Sequence, residues 1–200
     1  MRWLAYIVIL LVITVLLGSR LYPEARSLEV SGNKFLTDTE VLKLAGLKQG
    51  QPLLWVNPWT LRKLAKSPWI SRAPILRDWP AGKIYIEVWE RQPLATDGTN
   101  VWAKDGTILA NTHAQVLPDL VQVTGWGESR IDESLDLIRL LAEYEPKVLS
   151  YTPEGFEIQL ARTVVLTPSV QDLKNQWSGF LGHTGNRISV YAWGVSIDNE

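Results

Sequence analysis

The chain has 200 residues, 46% of them apolar and 20% charged, enough for one large domain or two small ones. Twenty Lys and Arg balance 21 Asp and Glu to a net charge of −1, and no basic run exceeds Arg62-Lys63, which excludes nucleic acid as the main partner. With no cysteine and only two histidines, His113 and His183, a disulfide scaffold, a cysteine nucleophile and a histidine-rich metal centre are excluded as well.

From Trp3 to Gly18 the chain reads WLAYIVILLVITVLLG, with no charge and no proline. These sixteen residues make about 24 Å of helix, extendable by Met1 and Ser19, with Arg2 and Arg20 at the ends and Trp3, Tyr6 and Tyr22 placed for interfacial belts. A cleaved signal peptide fits less well. Cutting after Ser19 puts Leu17 at −3, and cutting after Ala25 puts Pro23 there. The expectation is an uncleaved transmembrane signal anchor over residues 1–19, with the carboxy-terminal bulk outside the cytoplasm. Residues 20–27, containing Pro23, read as a linker.

SLEVSGN then reads as a strand closing on Gly32-Asn33. Thr37-Asp-Thr-Glu40 is a capping box, in which threonine and glutamate each satisfy a free amide of the other. Its helix carries Val41, Leu42 and Ala45 on one face and stops at Gly46. Asn57-Pro58 opens a second helix with Leu61, Leu64 and Ala65 as its stripe, and Pro68 ends it. Two strands follow, WISRAPILRDW and KIYIEVWER, joined at Pro80-Ala-Gly82. In the second, Ile84, Ile86 and Val88 share one face, and Tyr85, Glu87 and Trp89 the other. Strand, helix, helix, strand, strand closes as an α+β unit with two helices over a three-stranded sheet.

Beyond Arg91, Asp97-Gly98 and Asp105-Gly106 punctuate short extended runs as hairpin turns do. Leu117-Pro118 leads to the strand LVQVTG. A helix over 131–144 has Ile131, Leu135, Ile138 and Ala142 at helical spacing, with Ser129 as a cap. A hairpin turns at Glu154-Gly155, and TVVL is another strand. Thr167-Pro168 caps a last helix with Val170, Leu173, Trp177 and Leu181 on one face. RISVYAWGVSI closes the chain as one strand.

In that order, VSGN, SPWISRAPILRDWP and IYIEVWERQPLA after a single anchor resemble the bacterial cell-division proteins of the FtsQ/DivIB family. The signature positions are Trp69, Arg77, Trp79, Pro80, Glu90, Arg91 and Pro93. The resemblance implies a POTRA domain (β-α-α-β-β) over 28–91 and a mixed β-rich domain with two helices over 92–200. It further implies a non-enzymatic scaffold at the division septum, held in the inner membrane by a single pass and linking early and late division proteins. The implied partners are bitopic coiled-coil proteins like FtsB/DivIC and FtsL and, through them, the septal peptidoglycan synthase. No cofactor, metal or small-molecule substrate is implied. Three departures stand out: an almost absent cytoplasmic tail, Thr167-Pro168 in place of a common Leu-Gly, and no Asp-Leu-Arg in the final strand.

The last strand has its own physical reading. A terminal strand is often a sheet edge whose unpaired amides and carbonyls invite a partner strand. The expected partner-binding set is Ile188, Ser189, Val190, Tyr191, Ala192, Trp193 and Val195. Ser189, Tyr191 and Trp193 share one face and Ile188, Val190 and Ala192 the other; Tyr191 and Trp193 are the expected anchors unless they pack under the last helix. Two other classes remain open: a peptidoglycan-binding module stacking sugars on some of the ten tryptophans, and an outer-membrane assembly factor. No catalytic residue is assigned, because no nucleophile, metal or phosphate-loop motif occurs.

Overall fold

The computed structural model describes residues 2–19, 23–56, 58–110, 117 and 119–198. His113, Pro118, the Asn57 cap, Arg20 and Tyr22 lie outside the described residues, as do the side chains of Trp59 and Leu61. The chain divides into two compact units, residues 1–91 and 92–200.

The first unit opens with α1 (Arg2–Ser19), an 18-residue helix about 27 Å long. Its side chains from Tyr6 to Val15 are all exposed and almost all apolar. Among the described residues no helix is long and apolar enough to cross a membrane.

Around Ala25 the expected linker already belongs to the fold. Ala25 is fully buried, Glu24 bridges to Pro52, and Arg26 donates its amide to the Gly82 carbonyl. Strand β1 (Ser27–Ser31) leads through the turn to α2 (Asp38–Ala45), where the capping box forms in full: Thr37 Oγ1 accepts the Glu40 amide and the Glu40 carboxylate accepts that of Thr37. The Thr37 amide first, and then the Thr37 hydroxyl, both donating to the Glu40 carboxylate, hold that carboxyl below its ordinary pKa. Helix α3 (Pro58–Ala65) carries proline at its first position.

Each expected long strand is broken in two. WISRAPILRDW becomes β2 (Ile70–Arg72) and β3 (Ile75–Asp78), because Pro74 has no amide to donate to a ladder. KIYIEVWER becomes β4 (Lys83–Glu87) and β5 (Trp89–Glu90), with the Val88 amide diverted to the Ser31 carbonyl. Gly32 allows that approach: φ is 83°, and a Cβ there would sit 2.3 Å from the Val88 carbonyl oxygen. The expected three-stranded sheet is present in the order β1-β4-β3, and a separate β2–β5 ribbon is added. Ile84, Ile86 and Val88 are fully buried beneath Val41, Ala45 and Leu64, each worth about 1.5–3 kcal/mol of burial.

The second unit is built on an eight-stranded mixed sheet, β13-β12-β11-β10-β9-β8-β6-β7. Its strands are β6 (Pro93–Thr96), β7 (Val101–Ala103), β8 (Val121–Gly125), β9 (Val148–Thr152), β10 (Gly155–Gln159), β11 (Val164–Thr167), β12 (Arg187–Tyr191) and β13 (Gly194–Asp198). Helices α4 (Ile131–Leu140), α5 (Val170–Asn175) and α6 (Trp177–Leu181) cover one face. Val123, Leu149, Phe156, Ile158, Val165, Ile188 and Val190 form the core with Leu135, Ile138, Leu173 and Phe180 from the helices.

Three details differ from expectation here. The central helix ends as α-helix at Leu140, and Ala142–Tyr144 tightens into a 3-10 turn. Ser129 caps nothing: Arg130 stands at the cap position, with no side-chain cap. The last helix is capped by Ser169, which accepts the Asp172 amide, and it breaks at Gln176, so Leu181 turns outward and Phe180 inward.

At the β6–β7 turn, burial pushes the Asp97 carboxyl up, but hydrogen bonds from the Asn100 and Thr99 amides and the Asn100 side chain bring it below its ordinary value. A depressed carboxyl stabilises the fold above its unfolded pKa, and this contribution is lost as pH falls through the folded value. The Thr99 and Asn100 amides should therefore lose hydrogen-exchange protection below the ordinary aspartate range. Asp97→Asn should flatten that dependence, and a pH dependence unchanged in the variant would refute the assignment.

Candidate functional site: the carboxy-terminal hairpin

RISVYAWGVSI is two strands rather than one. β12 and β13 pair antiparallel, with Tyr191 opposite Gly194, Ser189 opposite Ser196 and Arg187 opposite Asp198. Ala192 and Trp193 form a two-residue turn between them. A glycine inside a β-branched and aromatic run was the available signal for this break, but no Asn-Gly or Asp-Gly pair marks it.

The hairpin moves the sheet edge. β12 is flanked by β11 and β13, so its backbone is engaged on both sides. The exposed edge is β13, bordered by no other described strand. In a two-residue hairpin the residues closing the turn exchange hydrogen bonds, as does every second pair beyond them. Pairs 191/194, 189/196 and 187/198 are therefore the bonded ones. The amides and carbonyls of Val195 and Ile197 point outward.

The expected residues separate accordingly. Ile188 and Val190 face the core and are buried, so their side chains are not displayed. Ser189 is half-buried on the opposite face, and Ala192 is exposed in the turn. Val195 is half-buried and packs on the core next to Gly179 of α6. Tyr191 and Trp193 do not pack under the last helix. They are 36% and 79% exposed and stack on each other, centroids 5.2 Å apart and planes 4° from parallel. Ile197 and Ser196, on the edge itself, were outside the expected set. Gln176 Nε2 donates to the Ala192 carbonyl at 3.1 Å and ties the turn to the helical layer.

The signature residues of the first unit hold structure. The Glu90 carboxylate accepts three consecutive amides, those of Lys34, Phe35 and Leu36, at 2.7, 2.8 and 2.8 Å. Arg91 Nη1 donates to the Pro68 and Ile70 carbonyls at 3.1 and 2.7 Å. Trp69 leans on Phe35, centroids 5.5 Å apart, and the Arg77 guanidinium lies 5.7 Å above the Trp79 ring, next to exposed Pro80. Pro93 belongs to β6 in the second unit, opposite Ala103.

Sequence reading passed over Arg130, which joins more elements than any of these. Its side chain, 18% exposed, lies 4.0 Å over the Phe156 ring, forks onto Glu133, and donates to the Thr152 and Pro168 carbonyls. Nothing in the sequence distinguishes it from a surface arginine starting a helix. His183 is exposed, with Nδ1 against the Gly179 carbonyl. Among the described residues no group of three histidine or acidic side chains is placed to hold a metal.

Residues 24–91 match the POTRA domain of FtsQ type. Over 131 residues the chain is 33% identical to a cell division protein FtsQ from Bradyrhizobium diazoefficiens, a match covering 63% of this chain. The chain spans 37% of that relative's length.

Proposed function

The chain belongs to the FtsQ/DivIB family of bacterial cell-division proteins, and from that premise we propose that it is a membrane-anchored scaffold of the division machinery. It receives an extracytoplasmic segment of a small coiled-coil division protein, of the FtsB/DivIC kind paired with an FtsL-like protein, as an added strand on β13. Through that partner it acts on the septal wall synthase. The family is one of non-catalytic division proteins, and the role proposed here is binding.

The observation that carries this reading is the exposed edge. Val195 and Ile197 offer two outward amides and two outward carbonyls in a row, and main-chain pairing of this kind supplies affinity with little dependence on sequence. The Tyr191–Trp193 stack stands at the end of that edge as a rigid aromatic anchor, the type of residue enriched at interface hot spots. Membrane attachment is supported by α1, whose apolar side chains between Tyr6 and Val15 are exposed and need a cover such as lipid acyl chains. At about 27 Å it is shorter than a roughly 30 Å hydrocarbon core, so the proposed attachment rests on its exposed apolar surface and not on its length.

Photo-crosslinking in cells tests the edge, with a probe at each position from Ile188 to Ile197. Capture of the FtsB/DivIC-like protein is expected from Trp193, Val195, Ser196 and Ile197, and not from buried Ile188 and Val190. Capture confined to the first unit, with none from β13 in a folded protein, would sink the strand-addition model.

A further inference from the structure

The first unit has an exposed edge of its own. β1 lies at one side of the β1-β4-β3 sheet and pairs in parallel with β4 alone. In a parallel ladder a residue turns its amide and carbonyl to the same side, and its neighbours turn theirs to the other. The Ser31 carbonyl accepts the Val88 amide at 2.8 Å, and the Ser27 amide reaches the Gly82 carbonyl at 3.4 Å. Ser27, Glu29 and Ser31 therefore serve β4, and the backbone groups of Leu28 and Val30 face outward, where no described strand lies.

Beside that edge runs a groove of about 640 Å³ between β1 and α2. Leu28, Leu42 and Leu47 line it, the last buried and the others half-buried. Arg26, Lys43 and Lys48, all exposed, stand around the rim, and none of them is in an ion pair among the described residues. The Glu40 carboxylate acts on Lys43 only through space, since its Oε2 is turned back onto Thr37. In the wall, Ser27 Oγ is buried without a hydrogen-bond partner, as befits a position still open to one.

We propose that this groove is a second docking site, which takes an extended, acidic peptide segment of another protein as a fourth strand on β1. Main-chain pairing to Leu28 and Val30 holds the segment, apolar side chains rest on Leu28, Leu42 and Leu47, and carboxylates meet Arg26, Lys43 and Lys48. The same three cations could face an anionic membrane. A lipid surface, however, has no series of amides and carbonyls to match Leu28 and Val30, and it would leave the apolar floor uncovered. The site is independent of β13, so either can fail without the other.

The test uses the full chain in zwitterionic lipid nanodiscs and a fluorescein-labelled octapeptide, Glu-Val-Glu-Ile-Asp-Val-Glu-Leu, followed by anisotropy. Saturable binding is expected, weakened about tenfold by Lys43→Glu with Lys48→Glu and by a peptide with lysine at every acidic position. Hydrogen exchange should slow at the Leu28 and Val30 amides on binding, while unchanged exchange in β4 of the variant certifies its fold. The proposal is overturned by absence of saturation, by binding indifferent to the charge reversals, or by unprotected Leu28 and Val30 amides. Attachment to phosphatidylglycerol vesicles with no peptide binding would likewise overturn it in favour of a lipid-facing surface.

Discussion

Glu90→Ala is expected to destabilise the first unit by about 2–4 kcal/mol, far beyond an ordinary surface substitution. A single carboxylate accepts the amides of Lys34, Phe35 and Leu36, and so fixes the segment between the Gly32 turn and the Thr37 cap. Hydrogen bonds to a charged acceptor are each worth about 1.5–3 kcal/mol, but the Lys34 and Phe35 amides lie near solvent and water recovers part of their loss. The half-buried Leu36 amide is the one left without a partner. Glu90→Gln keeps acceptor oxygen but loses the charge and one acceptor site, so it should fall between wild type and alanine. Native-state hydrogen exchange reads the effect at the amides of residues 34–36 and at Ile86 in β4, with the second unit as internal reference. If exchange at Ile86 is unchanged in Glu90→Ala, the carboxylate is decorating the turn rather than holding it.

This role explains which parts of the chain could be read in advance. The capping box, the Ile84-Ile86-Val88 alternation and the β9–β10 hairpin are local patterns found where the residues indicate, except that the hairpin turns one residue early, at Pro153-Glu154, and Gly155 opens β10. What was hidden depends on contacts distant in sequence. Residue 90 is more than fifty positions from the amides it serves, and nothing in Glu-Arg-x-Pro says where its carboxylate goes. Breaks inside strands were legible in principle, since Pro74 cannot donate and Gly194 interrupts a β-branched run. The Val88 break was not, because it arises from the approach of Gly32 to the Val88 carbonyl. For the candidate site the consequence was a shift of one strand. Reading 188–197 as continuous placed the partner-binding set on residues 188–193 and Val195, whereas with the turn at Ala192-Trp193 only Val195 of that set keeps outward backbone groups, and Ile197 joins it. The aromatic pair survived that shift because a two-residue turn displays its own side chains whichever strand is outermost.

Arg130→Ala is the counterpart in the second unit, with an expected loss of about 3 kcal/mol. The side chain is mostly buried, so its removal leaves the Thr152 and Pro168 carbonyls without their donor and Phe156 without the cation over its face. The Glu133 pair is a lesser part, because that carboxylate is nearly half exposed and water replaces its partner. Arg130→Lys separates the contributions: an ammonium keeps the charge over Phe156 but cannot fork to two carbonyls and a carboxylate at once, so it should recover less than half of the loss. Thermal unfolding followed by exchange at the Tyr151 and Phe156 amides distinguishes the cases. Equal stability of the lysine variant and wild type would show that charge alone matters here. The consequence reaches the candidate site as well. Thr152, Pro168 and Tyr191 line one cleft, so the arginine that fixes the first two also sets the wall against which Tyr191 stands. Loosening that wall should weaken partner capture at Trp193 and Val195 even at temperatures where the domain stays folded, whereas a hairpin held by its own pairing and by Gln176 alone would capture undiminished.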